Sequence, residues 1–491
     1  MMPPPKKNVL IFCTDQLRAD FLGCMGNPAA RTPHLDALAA LGTLHTRHYA
    51  SNPVCMPSRA SFVTGRTILA HRVLDNGIFL PETELTMPEV FRRNGWRTAS
   101  FGKLHFQTYK PFAGDNSHES RERWESRELA DWHGPYYGFE EVRLTVGHGE
   151  GCGGHYGLWR KEKFPDLKLG SGQADGEKFP EFDAYKSNLP PAAHHSTWTA
   201  DRAIEFLDAP DDGRPFFLNV SFPDPHHPFT PPAPYGDRFD GVDFPPPHAV
   251  PEENDAKPKP YRDAMTRNPF PTDGGARHFP AFQGAVRNRV LANTHGMLSL
   301  IDENIGRVLA KLEATGRAQN TVIVFTSDHG DFLGDHHFLY KAQLPCRSLL
   351  HIPLIVAGPD IPAGQSDAPG SNIDVMPTLL AACGLEIPAT VQGVVLPGPG
   401  EAPRRDHAFE AGWSKASREY HHFSIYMRDW RISYFPHLAD GELYDLQADP
   451  WEHRNLFHSP AHAATRAALI EELLQAVGRA EPTMPPILTD W

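Results

Sequence analysis

The chain has 491 residues, too many for one small domain, so its length suits two or three ordinary domains or one large α/β domain with an appendage. Its 60 acidic against 47 basic side chains give a formal charge of −13, which speaks against the basic footprint of a nucleic-acid binder. A hydrophobic share of 40% and a charged share of 22% exclude wholesale disorder.

The chain opens with a loose basic leader and then an apolar run at residues 9–13 that stops at Asp15. That run is too short for a signal-peptide core or a membrane span. We read Asn8–Thr14 as a buried first strand. With no later run long enough to cross a bilayer, the expected location is the cytoplasm. Residues 32–41 carry Leu35, Leu38 and Leu41 on one helical face. Residues 96–101 read as a second strand, leading to Gly102 and Lys103. A helix is expected over 200–207, then the near-continuous apolar strand PFFLNVSF at 215–222. Residues 296–314 form an amphipathic helix with Leu300, Ile301, Ile305, Val308, Leu309 and Leu312 inward. TVIVFT at 321–326 and PLIVA at 353–357 are further strands. Unalternating apolar strands joined by helices predict an α/β fold, a mostly parallel sheet covered on both faces.

After a plausible linker at 396–405 the texture changes. From about Asp406 the pattern is hairpin-like (HHFSIYMRD, WRISYFP, GELYDL), followed by a helix at 461–476. This predicts a smaller C-terminal α+β unit, with domains at 1–403 and 404–491. Two long stretches, 109–195 and 231–282, resist assignment. Loops of that length commonly act as lids, binding loops or oligomer contacts. Tyr136, His148 and His155 are candidate pocket residues there, and a homo-oligomer is expected. The 48 prolines fit such irregular connections, and the 27 histidines invite a search for a metal or acid–base site. The six cysteines include no C-x-x-C pair, which argues against a disulfide scaffold and a cysteine zinc site.

Ligands of open α/β sheets sit beyond the carboxyl ends of the strands. Those ends carry Asp15 and Gln16, Lys103 and His105, His226, and Asp328 and His329. Asp15, Gln16, Asp328 and His329 make a divalent-metal set. Carboxylates and an amide oxygen suit a hard cation such as Ca²⁺, and the histidine shifts the choice toward Mn²⁺. Taken singly, an Asp after a strand is as often a helix cap. Lys103 and Lys341 are candidates for an anion clamp, and His105 and His226 for proton carriers.

Around Cys55 the chain reads Cys55-Met56-Pro57-Ser58-Arg59, with Thr64-Gly65 following. This resembles the type I sulfatase signature C-x-P-S-R-x-x-x-x-T-G. The likeness continues at Thr32-Pro33-His34-Leu35-Asp36, Gly102-Lys103-Leu104-His105, His226-His227-Pro228, Ser327-Asp328-His329-Gly330, Gly334-Asp335-His336 through Lys341, and Glu442-Leu443-Tyr444-Asp445-Leu446. It implies an alkaline-phosphatase-like fold and conversion of Cys55 to 3-oxoalanine (formylglycine) by a formylglycine-generating enzyme. The hydrated aldehyde would attack a small anionic ester and then expel the oxyanion by C–O cleavage. The resemblance further implies a metal held by Asp15, Gln16, Cys55, Asp328 and His329. Arg59 would brace the diol, and Lys103, His226 and Lys341 would bind substrate. His105 would be the base, and His226, with Lys341, the acid. The pairing of Gln16 with His329 departs from the commoner Asp and Asn. It is similar to choline sulfatases and phosphonate monoester hydrolases. The expected activity is therefore sulfate monoester hydrolysis on an aryl or small organic sulfate. The alternative is phosphonate monoester or phosphodiester cleavage by the same site.

Overall fold

The computed structural model describes residues 6–110, 112–169, 183–266, 277–278, 282–414 and 417–482. Its centre is an eight-stranded sheet. In chain order the strands are β1 (Asn8–Thr14), β2 (Thr43–His45), β3 (Arg97–Gly102), β4 (Glu141–Val146), β5 (Phe216–Ser221), β6 (Thr321–Ser327), β7 (Leu354–Ala357) and β8 (Gly364–Ser366). Their spatial order is β8-β2-β7-β6-β1-β5-β3-β4. The five strands from β6 to β4 run parallel. β7 breaks the expected pattern by pairing antiparallel with both β6 and β2. An apolar run records burial but not direction, so PLIVA could not report this.

Both faces of the sheet are covered. Leu10 and Phe12 of β1 join one apolar cluster, and Val9 and Ile11 join the other. Helices α1 (Pro33–Leu41), α4 (His195–Asp208) and α5 (Gly284–Ala314) pack on the first face. Helices α2 (Cys55–Thr64), α3 (Met87–Arg93) and α6 (Val375–Ala382) pack on the second. Every residue of β1, β5 and β6 is buried. Burial of this kind stabilises by about 25 cal/mol per Å² of apolar area removed from water.

Beyond it lies a four-stranded antiparallel sheet, β9 (His407–Gly412), β10 (His422–Met427), β11 (Trp430–Phe435) and β12 (Asp440–Asp445), with helix α7 (Ala463–Ala480) against it. The hairpin reading of 422–446 therefore holds, and β9 is an additional strand. Residues 396–405 are not a free linker. Leu396 is buried in the second cluster, and Arg405 pairs with buried Asp374. The unassigned stretch 109–195 contributes β4 and the helix Gly154–Lys163. Among the described residues no helix is long and apolar enough to cross a membrane.

Candidate active site

The carboxyl ends of β1, β3 and β6 lie side by side, because β1 pairs with β6 and both β1 and β3 pair with β5. Three segments remote in sequence thus deliver Asp15 and Gln16, Lys103 and His105, and Asp328 and His329 to one edge. Gly102 makes the turn before Lys103 possible. Its φ is +101°, and a Cβ there would lie 1.9 Å from the Ser221 carbonyl oxygen. The Lys103 amide donates to that same oxygen at 2.8 Å. Gln16, His105 and Tyr340 also hold positive φ without being glycine (67°, 59° and 67°). Such strain persists where surrounding structure over-determines it, often at functional sites.

Cys55 is the first residue of α2, so its side chain sits where unpaired helix amides favour negative charge. Its Sγ lies 3.1 Å from His329 Nε2 and accepts from Lys341 Nζ at 3.0 Å. Asp15 Oδ1 is 3.9 Å away. Asp15, Cys55, Asp328 and His329 place their ligand atoms within 4.8 Å of one another, all buried. His329 Nδ1 faces the Gly330 carbonyl at 2.9 Å, which fixes that nitrogen as the donor and turns the Nε2 lone pair inward. Gln16 Nε2 is held by Asp331 and by His227 Nδ1, the latter at 3.2 Å, and its Oε1 accepts from Lys341 at 2.8 Å. Two carboxylates, one amide oxygen and one imidazole nitrogen fit a divalent cation.

Arg59, one turn into α2, braces the two carboxylates beside residue 55. Its Nε pairs with Asp328 Oδ2 at 2.7 Å and its Nη2 with Asp15 Oδ2 at 3.2 Å. Its Nη1 donates to the Lys103 carbonyl at 3.0 Å and to Ser221 Oγ at 3.1 Å. Lys103 also pairs with Asp15. Burial opposes the charge on Asp15, but Lys103, Arg59 and Lys341 outweigh it and hold the carboxyl well below its usual range. Burial and Asp15 likewise push the Cys55 thiol up. Lys341, His329 and Lys103 pull it well below its ordinary value. The field at residue 55 is therefore built for an anion.

His148 is the residue the motifs left out. It sits just beyond β4, bonds Lys103 Nζ and lies 3.9 Å from Asp15 Oδ2. Its ring stacks on His226 with centroids 3.6 Å apart and planes 9° apart. Burial, then His148 and Lys341, hold the His226 imidazolium well below its usual pKa. His105 is buried, with its amide on Glu119 Oε2 at 2.7 Å and its Nδ1 without a hydrogen-bond partner among the described residues. Tyr136 and His155 do not reach the centre. Tyr136 donates to Glu119 at 3.0 Å, and His155 accepts from the Leu144 amide at 2.9 Å. Pairing in the sheet, not local pattern, brings His148 in, so sequence spacing gave it only as one candidate of three.

A cleft opens from His148, His226 and His227, lined by Tyr109, Trp124 and Leu158. The sulfatase family profile matches residues 7–385, and a profile described as N-sulphoglucosamine sulphohydrolase, C-terminal, matches residues 334–479. PehA of Trinickia caryophylli, a multifunctional alkaline phosphatase superfamily protein, is 31% identical over 94% of this chain and 93% of its own. An arylsulfatase of Clostridium perfringens is 27% identical over 95% and 94%. The phosphonate monoester hydrolase of Agrobacterium radiobacter superposes with a TM-score of 0.81 at 27% identity, covering 97% of this chain and 96% of that one.

Proposed function

The chain belongs to the sulfatase family, within the alkaline phosphatase superfamily of hydrolases, and from that premise we propose that it cleaves aryl or small organic sulfate monoesters through an oxidised Cys55. The observation that carries this reading is the convergence on Cys55 of Lys341 at 3.0 Å and His329 at 3.1 Å, at the start of a buried helix. Converted to 3-oxoalanine and hydrated, residue 55 supplies one hydroxyl for attack and a second whose deprotonation releases the bound ester. When bound by Asp15, Gln16, Asp328 and His329, a divalent cation (Ca²⁺ or Mn²⁺) supplies charge neutralisation and acidifies the attacking hydroxyl.

The chain's own residues do the rest. Arg59 pairs with both carboxylates and keeps them aimed. Lys103 and Lys341 hold the non-bridging oxygens, where donors aimed at developing charge are worth most. His226 passes a proton to the leaving oxygen. Its imidazolium is disfavoured in the bare cleft, and an anionic ester supplies the counter-charge that restores it. His105, whose Nδ1 has no hydrogen-bond partner among the described residues, takes the proton that releases the product. Each such transfer contributes about 10²–10⁴-fold. A formylglycine-generating enzyme is the maturation partner this chemistry requires.

Phosphonate monoester and phosphodiester cleavage by the same centre is the second reading. It is supported by the likeness to the phosphonate monoester hydrolase and by a neutral Gln16 beside Lys341. The test uses protein made together with the converting enzyme. We expect turnover of para-nitrophenyl sulfate, inhibition by a chelator, and a peptide in which residue 55 has exchanged sulfur for oxygen. A higher kcat/KM for para-nitrophenyl phenylphosphonate would select the second reading. Full activity with the thiol intact in every copy would sink both.

A further inference from the structure

Asp224 is a buried carboxylate without a lysine or arginine partner among the described residues, only 1% exposed. Burying an ionisable group without a counter-charge is costly, so its retention asks for a reason. Its nearest polar side chains come from the N-cap and first turn of α4. Ser196 Oγ donates to Asp224 Oδ2 at 3.1 Å. His195 Nε2 lies 3.4 Å from Oδ1, and His194 Nε2 lies 3.7 Å from Oδ2. Burial pushes the Asp224 carboxyl up to about 8, and the amino end of a 14-residue helix acts against that shift. Through its backbone the same residue reaches the other way: the Asp15 amide donates to the Asp224 carbonyl at 3.2 Å. Two residues on is His226, stacked on His148. The hydrogen-bond and ion-pair neighbours of the Asp224 carboxylate among the described residues lie at the start of α4, so it acts on the centre through what it holds.

We infer that Asp224 is a positioning residue: anchored on the start of α4, it fixes the turn that carries His226 against the end of the Asp15 strand. The inference rests on the reading of His226 as the proton donor to the leaving oxygen. A donor must lie within hydrogen-bond reach of that oxygen, and a displacement of about 1 Å can cost roughly 10²-fold. A loss of this kind depends on the leaving group. Esters of weakly acidic alcohols need the proton; nitrophenyl esters hardly do.

The experiment compares Asp224→Asn, Ser196→Ala and His226→Ala in the metal-loaded, converted enzyme across a series of aryl and alkyl sulfates. Asp224→Asn should lower kcat by about 10²-fold for the poorest leaving groups and by a few-fold at most for nitrophenyl sulfate. Ser196→Ala should show the same trend with a smaller amplitude. The double variant Asp224→Asn/His226→Ala should be no slower than His226→Ala alone, because both remove one function. A crystal structure of Asp224→Asn should show the His226 ring moved off His148. A uniform loss for all leaving groups, additive effects in the double variant, or the loss of an equivalent of bound metal would overturn the proposal. If His226→Ala shows no leaving-group dependence yet Asp224→Asn still displaces the ring, the proton-donor reading falls and the positioning role stands. If the ring does not move, the positioning role falls.

Discussion

In the active centre, Arg59, Lys103 and Lys341 surround two carboxylates, Asp15 and Asp328, so once residue 55 has lost its thiol, buried positive charge is in excess. Beneath the C-terminal sheet the balance is reversed. Arg431 meets Glu442 at 2.8 Å and Glu452 at 3.3 Å, so buried negative charge is in excess. There the surplus is absorbed locally. Tyr261 and Tyr444 donate to Glu442 at 3.0 and 2.7 Å, and the Arg347 amide donates to Glu452 at 2.9 Å. In the centre the surplus lies beside residue 55 and faces a cleft. Buried charge alone does not mark a functional site; buried charge whose remaining partner must come from outside does.

The largest effect that can break this comparison is at the nucleophile. Cys55→Ala should lower turnover of any productive ester by about 10⁴-fold or more while the urea midpoint stays with that of the wild type. Equal activity in the variant would mean that residue 55 does no chemistry. Next is the closed cluster. Arg431→Met removes the ion-pair partner of buried Glu442 and Glu452 and should cost about 3–5 kcal/mol in urea unfolding. The kcat of the molecules that remain folded should not change. A variant as stable as the wild type would show that the phenols alone satisfy the carboxylates.

The same contrast explains what was legible in the sequence. β1, β5 and β6 are apolar at most positions, as burial on both faces favours, so their residues declared them. Cys55, Arg59, Lys103 and His329 stood in a motif whose spacing reflects one helix and two strand ends. Strand direction was not written in PLIVA, because it is fixed by which neighbours β7 meets. Helix α5 begins at Gly284, twelve residues before its apolar stripe suggested. Its first half carries Asn293 and His295, and their burial against the 229–245 segment is tertiary. The Arg431 cluster was hidden for the same reason: Tyr261, Glu442 and Glu452 meet only after two distant segments pack.

Lys341→Ala sharpens the comparison from the catalytic side. It removes one donor aimed at the transferring group and should lower kcat/KM by about 10²–10³-fold. Because the lysine belongs to the unmatched surplus, its loss should leave urea stability unchanged or raise it. The opposite sign at Arg431 is the point of the pair. If Lys341→Ala destabilised as Arg431→Met does, both clusters would be structural and the distinction would fail.

The smallest expected effect comes from a histidine at the edge of the C-terminal sheet. His407 in β9 is held to about 4 by burial, reinforced by Arg405 and Arg479. Its folded pKa lies below the ordinary 6.5, so as the pH falls through 6.5 the unfolded chain takes up the proton first. The stability linked to this group is whole above pH 6.5 and is lost progressively toward pH 4. At pH 5.5 the loss is about 1 kcal/mol. His407→Gln removes that dependence. Its urea stability relative to the wild type should therefore rise by about 1 kcal/mol between pH 8 and pH 5.5. A constant difference across that range would mean that burial does not keep the ring neutral. Turnover measured over the same range should not distinguish the two proteins, because His407 stands in the sheet that closes its own charges.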